Sequence, residues 1–173
     1  MLYSLKNIKK FTTKDEIDSI IGKPLFQIGD RMVFYYGKGV LVAYSPRCFK
    51  IEGIKRIEYG DKGYYATSIY HFADIEMLKR YFGIDTFPSE DFESNSIHMI
   101  EDGVDYSKTF TDICQLRLEK IYEPPYRDGE TRVLENGKMI VQNLFIMFGA
   151  YTLFFRGKSK KNKLSGFQYV LQE

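Results

Sequence analysis

The alternation of apolar and polar positions is clearest between residues 27 and 45. Two arms rich in Val, Phe and Tyr flank Gly37-Lys38-Gly39 there. Such side chains suit a pleated, half-buried surface, and glycine takes the positive φ that a tight reversal needs. The pattern predicts two β-strands joined at those three residues. Ahead of them, Ile17, Ile20 and Ile21 recur at helical spacing and predict a helix over Lys14–Ile21 with one apolar face. Thr13 and Glu16 have capping-box spacing, and Gly22 with Pro24 stops the helix.

A second helix is predicted over 74–82, ending at Gly83. Ile75, Leu78 and Phe82 share a face that Met77 and Tyr81 widen. Residues 2–5 read as a short first strand, 48–59 as a strand bent at Gly53, 60–63 as a turn and 64–72 as a further strand. Residues 84–95 hold four acids and no base, the pattern of a solvated loop; a docking surface for a basic partner is the second reading. Residues 97–100 read as a short strand. The segment 111–122 admits two readings. Leu116 and Leu118 alternate as in a strand, whereas Ile113, Leu116 and Ile121 fit a helix; the strand is preferred, and Pro124-Pro125 ends either one. Asn136-Gly137 within 132–142 is a strong hairpin signal. Residues 144–148 and 151–156 form a last hairpin around Gly149-Ala150, and 167–171 add a closing strand. The sum is an α+β fold, mainly antiparallel β, as a curved sheet or partly closed barrel with two short helices. A chain of 173 residues fits a single domain over 1–173.

Composition narrows the class. Apolar residues make up 44% of the chain, enough for a core, but no apolar run reaches the length of a membrane span. The N-terminus lacks the layout of a signal peptide, so a cytoplasmic location is expected. Cys48 and Cys114 are then expected as free, buried thiols. With no Cys-x-x-Cys pair and two histidines, no metal or other cofactor is expected. A net charge of +2 neither demands nor excludes nucleic acid. The 14 Tyr and 14 Phe, with no Trp, matter more. A small core cannot satisfy that many phenol hydroxyls, so exposed tyrosines are expected, as at protein interfaces or under stacked bases.

Motifs of catalysis are sparse. Gly157-Lys158-Ser159 ends like a phosphate-binding loop, but Thr152 stands where its first glycine is needed, and the segment follows a strand without opening a helix. Gly37-Lys38-Gly39 lacks the third glycine of a dinucleotide fingerprint, since Val42 stands there. No Asp-x-Lys or Glu-x-Lys occurs, which argues against the common metal-dependent nucleases. His71 and His98 read first as half-buried histidines with one hydrogen bond, and second as general bases. Arg156, Lys158, Lys160, Lys161 and Lys163 place five positive charges in eight residues. A solvated loop tip is the preferred reading of that segment, and a phosphate-contacting finger the sharper one. A short echo links Phe34-Tyr35-Tyr36-Gly37-Lys38-Gly39 to Phe154-Phe155-Arg156-Gly157-Lys158-Ser159, and similar hairpin chemistry accounts for it.

The stretch Ile28-Gly29-Asp30-Arg31-Met32-Val33-Phe34-Tyr35-Tyr36, followed by Gly37-Lys38-Gly39-Val40-Leu41-Val42-Ala43, resembles PUA-like domains of the EVE and ASCH type. Those families show a Gly-Asp, an apolar-aromatic strand, a short glycine turn and a second apolar strand. The resemblance implies a β-barrel that reads RNA, DNA or modified bases.

Three classes of function fit. The first is a non-catalytic binding protein acting on another macromolecule, with Arg156, Lys158, Lys160, Lys161, Lys163, Tyr35, Tyr36 and Lys38 as its partner-binding residues. Its partner is a protein or nucleic acid and not a membrane. Small proteins of this composition occur among phage and mobile-element products that inhibit host machinery, an association rather than a derivation. The second class is the PUA-like reader. The third is a small metal-independent ribonuclease or toxin, which would leave no local motif. The absence of a catalytic motif favours the first.

Overall fold

Ten strands and three short helices are assigned among the described residues, and eight of the strands form antiparallel sheet. The computed structural model describes residues 7–46, 48–59, 63–87, 104–117 and 125–173, without the side chains of 48–52, 56–59 and 117. The strand expected at 2–5, the first part of the turn at 60–63, most of the acidic loop, the strand at 97–100, His98 and residues 118–122 lie outside them. The chain divides into two compact units, Met1–Tyr70 with Val170–Glu173, and His71–Tyr169.

In unit 1, α1 (Lys14–Ile21) begins at the expected capping box. The Thr13 hydroxyl accepts from Glu16 N–H at 3.2 Å, and Glu16 Oε2 accepts from Thr13 N–H at 3.4 Å. Only part of the expected apolar face is used: Ile17 is buried, while Ile20 is 57% exposed. The strands β1 (Phe26–Gln27), β2 (Val33–Gly37), β3 (Val40–Ser45) and β6 (Tyr65–Phe72, whose last two residues belong to unit 2) follow one another in that order across the sheet. The β2–β3 reversal puts Gly37, Lys38 and Gly39 all at positive φ, which explains the glycine on either side of the lysine. The single bent strand expected over 48–59 is instead two strands, β4 (Cys48–Glu52) and β5 (Lys55–Tyr59), paired antiparallel. Gly53, at φ +61°, lets the chain reverse rather than bend.

In unit 2, α2 (Ile75–Phe82) is capped by Asp74 and closed by Gly83 in the left-handed region. It buries Met77, Leu78 and Phe82. The segment 111–122, read as a strand, begins as a helix, α3 (Phe110–Arg117). A reciprocal cap decides this. Asp112 Oδ2 accepts from Thr109 N–H at 2.9 Å, and Thr109 Oγ1 accepts from Asp112 N–H at 3.1 Å. Phe110 and Ile113, one helical turn apart, are both buried. The strands β10 (Leu164–Val170, its last residue in unit 1), β9 (Tyr151–Arg156), β8 (Lys138–Phe148) and β7 (Tyr126–Glu135) follow in that order. Asn136 and Gly137, both at positive φ, turn β7 into β8 as expected. Among the described residues, β1 and β7 each pair on one side only. No pairing among the described residues joins β1 to β7.

The core of unit 2 is aromatic. Phe72 stacks on Phe154 with ring centroids 5.8 Å apart and planes 8° from parallel. Phe110 meets Phe155 edge-on at 5.3 Å. Offset and edge-on pairs of this kind add to the burial of area itself. Gly166 lies on β10 where a Cβ would stand 2.4 Å from the Phe72 ring and 2.8 Å from the His71 carbonyl oxygen.

Candidate functional site

A cleft of about 710 Å³ opens in unit 2, lined on one side by Asp74 and Arg80 of the α2 region and on another by Arg156, Lys161 and Lys163. Three segments supply the cations. Arg80 comes from the polar face of α2, Arg156 from the last position of β9, and the lysines from the loop 157–163. Each arginine is held. Arg80 donates to Asn143 Oδ1 at 2.9 Å, and that same oxygen accepts from Gly157 N–H at 3.4 Å. Asn143 is buried, so its amide fixes the root of the loop as well as the guanidinium. Arg156 reaches Asp74 Oδ2 at 3.3 Å. The other oxygen of Asp74 accepts from Glu76 and Met77 N–H and so starts α2.

The loop, expected as a solvated tip, has exposed lysines and is also a built turn. Gly157 sits at φ +79°, and Asn162 Nδ2 donates back to the Arg156 carbonyl at 2.5 Å. The Lys160 carbonyl accepts from both N–H and Oγ1 of Thr111, and the Asn162 carbonyl accepts from Phe110 N–H. The loop is therefore bonded to the start of α3, although its lysine side chains are exposed. Lys161 and Lys163 form no ion pair with a carboxylate among the described residues. A cleft with four cations and one acid favours a negatively charged occupant.

The eight residues proposed from sequence separate into distinct roles. Arg156, Lys161 and Lys163 line the cleft. Lys158 lines a neighbouring groove beside Val133, Met139 and Ile140. Lys160 contributes its carbonyl to the loop bond described above. Tyr35, Tyr36 and Lys38 belong to unit 1 and are not part of this lining. Tyr35 corrects the expectation of a surface tyrosine: it is 0% exposed, and its hydroxyl accepts from Gly39 N–H at 3.1 Å. A ring bonded inside its own hairpin is a core residue. Tyr36 is half-buried and donates to Asp18 Oδ1 at 2.7 Å, while its hydroxyl lies 2.5 Å from that of Tyr44. Lys14 takes the other carboxylate oxygen of Asp18, at 2.7 Å. Burial, then these hydrogen bonds, push the Tyr36 phenol far above its ordinary range. This cluster ties α1 to the central hairpin. Lys38 is exposed at the turn.

His71 is more buried than expected, at 1% exposure. Its Nδ1 is 2.5 Å from the Tyr106 hydroxyl, and Tyr106 lines the cleft. Burial holds the Tyr106 phenol well above its usual range, so it stays protonated. A general base must reach a substrate proton, and the burial of His71 works against that. The Cys114 thiol is half-buried rather than buried, and the Tyr126 hydroxyl is 3.6 Å from its sulfur. No group of three or more His, Cys, Asp or Glu able to hold a metal is present among the described residues. No described helix is long and apolar enough to cross a membrane.

Arg80 was missed from sequence because nothing in its helix marks one polar-face cation from another. Asp74 was read as a helix start, and its second task, holding Arg156, joins residues far apart in the chain. Comparisons with family models, curated proteins and solved structures return no match.

Proposed function

We propose that the chain is a non-catalytic binding protein that acts on another macromolecule, and that the basic cleft of unit 2 takes an acidic face of a protein partner. The observation that carries this reading is the convergence of Arg80, Arg156, Lys161 and Lys163 on one cleft with a single carboxylate. Opposed charge steers encounter and fixes the partner's register. Nucleic acid is the second reading, in line with the resemblance to PUA-like readers. A single-strand site usually adds aromatic platforms to its basic groove. Here one aromatic, Tyr106, is among the lining residues, and its hydroxyl is tied to His71. The exposed rings Tyr64 and Tyr81 are not among them. That favours the protein.

The test recovers what co-purifies with the wild-type chain and with K160S/K161S/K163S from the native source, at two salt concentrations. The expected result is one protein, identified by mass spectrometry, whose recovery falls with salt and with the triple substitution. Nucleic acid recovered instead, with the same dependence, would favour the second reading. Equal recovery from both chains would remove the cleft as the contact.

A further inference from the structure

We infer that two copies of this chain associate by pairing β7 to β7 antiparallel, with Thr131 on the two-fold axis. β7 pairs with β8 from Tyr126 to Glu135 and with no other strand among the described residues. Its second edge is a row of backbone donors and acceptors. Which residues face outward follows from the turn. Glu135 and Lys138 flank the two-residue turn Asn136-Gly137, so they form the hydrogen-bonded closing pair. Alternation then turns the N–H and C=O of Val133 and Thr131 toward β8, and those of Leu134, Arg132 and Glu130 outward. The one irregularity, the extra residue Gln142, lies on β8, so the alternation along β7 is unbroken.

Charge selects the register. With Thr131 on the axis, Glu130, to which Arg132 Nε of its own chain donates at 2.6 Å, also faces Arg132 of the second copy, so the intrachain pair is shared across the axis, and Arg127 faces Glu135. Symmetry repeats both, giving four attractive pairs and no like pair. Moving the axis to Glu130 sets that carboxylate against itself, and moving it to Arg132 opposes two guanidiniums. Shape agrees with this choice. Val133 falls opposite Gly129, where the Phe145 ring leaves a built Cβ only 2.9 Å of room. Val133 of one copy thereby meets an aromatic ring of the other. Edges that resist pairing usually carry charged side chains, proline or a bulge. The β7 edge carries both signs in a self-complementary order. Leu134, on the edge strand itself, is 71% exposed, apolar surface beside which the second copy's strand would lie. A single strand pair is a small interface, so the dimer should be reversible, with a dissociation constant on the order of micromolar.

Sedimentation velocity of the full chain from about 1 to 100 µM tests this, bracketing the affinity expected of an interface this small. A concentration-dependent dimer is expected. Glu130→Arg or Arg132→Glu alone opposes like charges twice and should weaken association at least about tenfold. The swapped double E130R/R132E restores every pair and should return to within about threefold of wild type, because the same opposite-charge contacts form with the partners exchanged. In a chain with Cys48 and Cys114 replaced by Ser, Thr131→Cys should form a disulfide dimer on mild oxidation. The Cα atoms of such a facing, non-hydrogen-bonded pair lie about 4.5 Å apart, within disulfide reach. Val133→Cys, which faces Gly129, should not. Circular dichroism confirms that each variant is folded. A monomer throughout, a dimer indifferent to the single reversals, or Val133→Cys cross-linking in place of Thr131→Cys would overturn the inference.

Discussion

Gly166→Ala should be among the most costly small substitutions in unit 2. The added Cβ would stand 2.4 Å from Phe72 Cδ1, 3.0 Å from Cε1 and 2.8 Å from the His71 carbonyl oxygen. Relief needs about 1 Å of movement to reach an ordinary packing distance. The Phe72 ring has little freedom to give it, being fully buried, stacked on Phe154 and edge-on to Phe82. The carbonyl belongs to the strand backbone and cannot move alone. Overpacking a tight core costs about 1–3 kcal/mol, and the backbone clash argues for the upper end. Replacing a strand glycine returns up to about 1 kcal/mol of chain entropy. The net expectation is a loss of about 2 kcal/mol, or roughly 4–8 °C in Tm for a chain of this size. Urea and thermal unfolding followed by circular dichroism would measure it. Gly129→Ala is the control, since the Cβ there meets only the tip of the Phe145 ring at 2.9 Å, and that half-buried side chain can swing away. The double variant Phe72→Leu/Gly166→Ala should lose less than the sum of its parts, because the smaller side chain vacates the clash. A Gly166→Ala protein within about 0.5 kcal/mol of wild type, the ordinary range for harmless surface changes, would refute the packing argument.

Three further outcomes are expected. The phenols of Tyr36, Tyr44, Tyr106 and Tyr126 are all raised, chiefly by burial, so the folded chain keeps protons that the unfolded chain releases. Stability should therefore be intact below about pH 10 and fall as pH rises beyond it, read as a declining urea midpoint, with Tyr36→Phe costing about 1 kcal/mol at neutral pH and reducing the alkaline loss. Thr109→Ala removes the cap of α3 and should cost about 1 kcal/mol in urea unfolding. In the same variant the Asp112 carboxyl, held below its usual range by the Thr109 N–H and hydroxyl, should titrate closer to that range by NMR. K160S/K161S/K163S should keep stability within about 0.5 kcal/mol, because the loop is held by backbone bonds, while partner binding weakens and its salt dependence flattens.

Local chemistry alone determined much of this protein. The capping box at Thr13 and Glu16, the stop at Gly83, and the turns at Gly37-Lys38-Gly39 and Asn136-Gly137 depend on residues within four positions of one another, and all appear where the sequence places them. The start of α3 was equally local: Thr109 and Asp112 have the spacing of a cap, but the alternation of Leu116 and Leu118 drew the reading toward a strand. Gly53 shows the limit of local signals, since the same glycine permits a bend or a reversal, and only the pairing of β4 with β5 chooses between them. Burial was decided at long range. Tyr35 and Tyr36 are adjacent and chemically alike, yet one is a core ring and the other is bonded to Asp18, because the sheet presents their side chains to different surroundings. The cleft belongs wholly to tertiary structure. The basic run was visible as charge, but Arg80 and Asp74 join it only once the chain has brought α2 beside the end of β9, through Asp74 with Arg156 and Arg80 with Asn143. Those pairs span 82 and 63 residues, a separation across which no periodic pattern in a single sequence carries information.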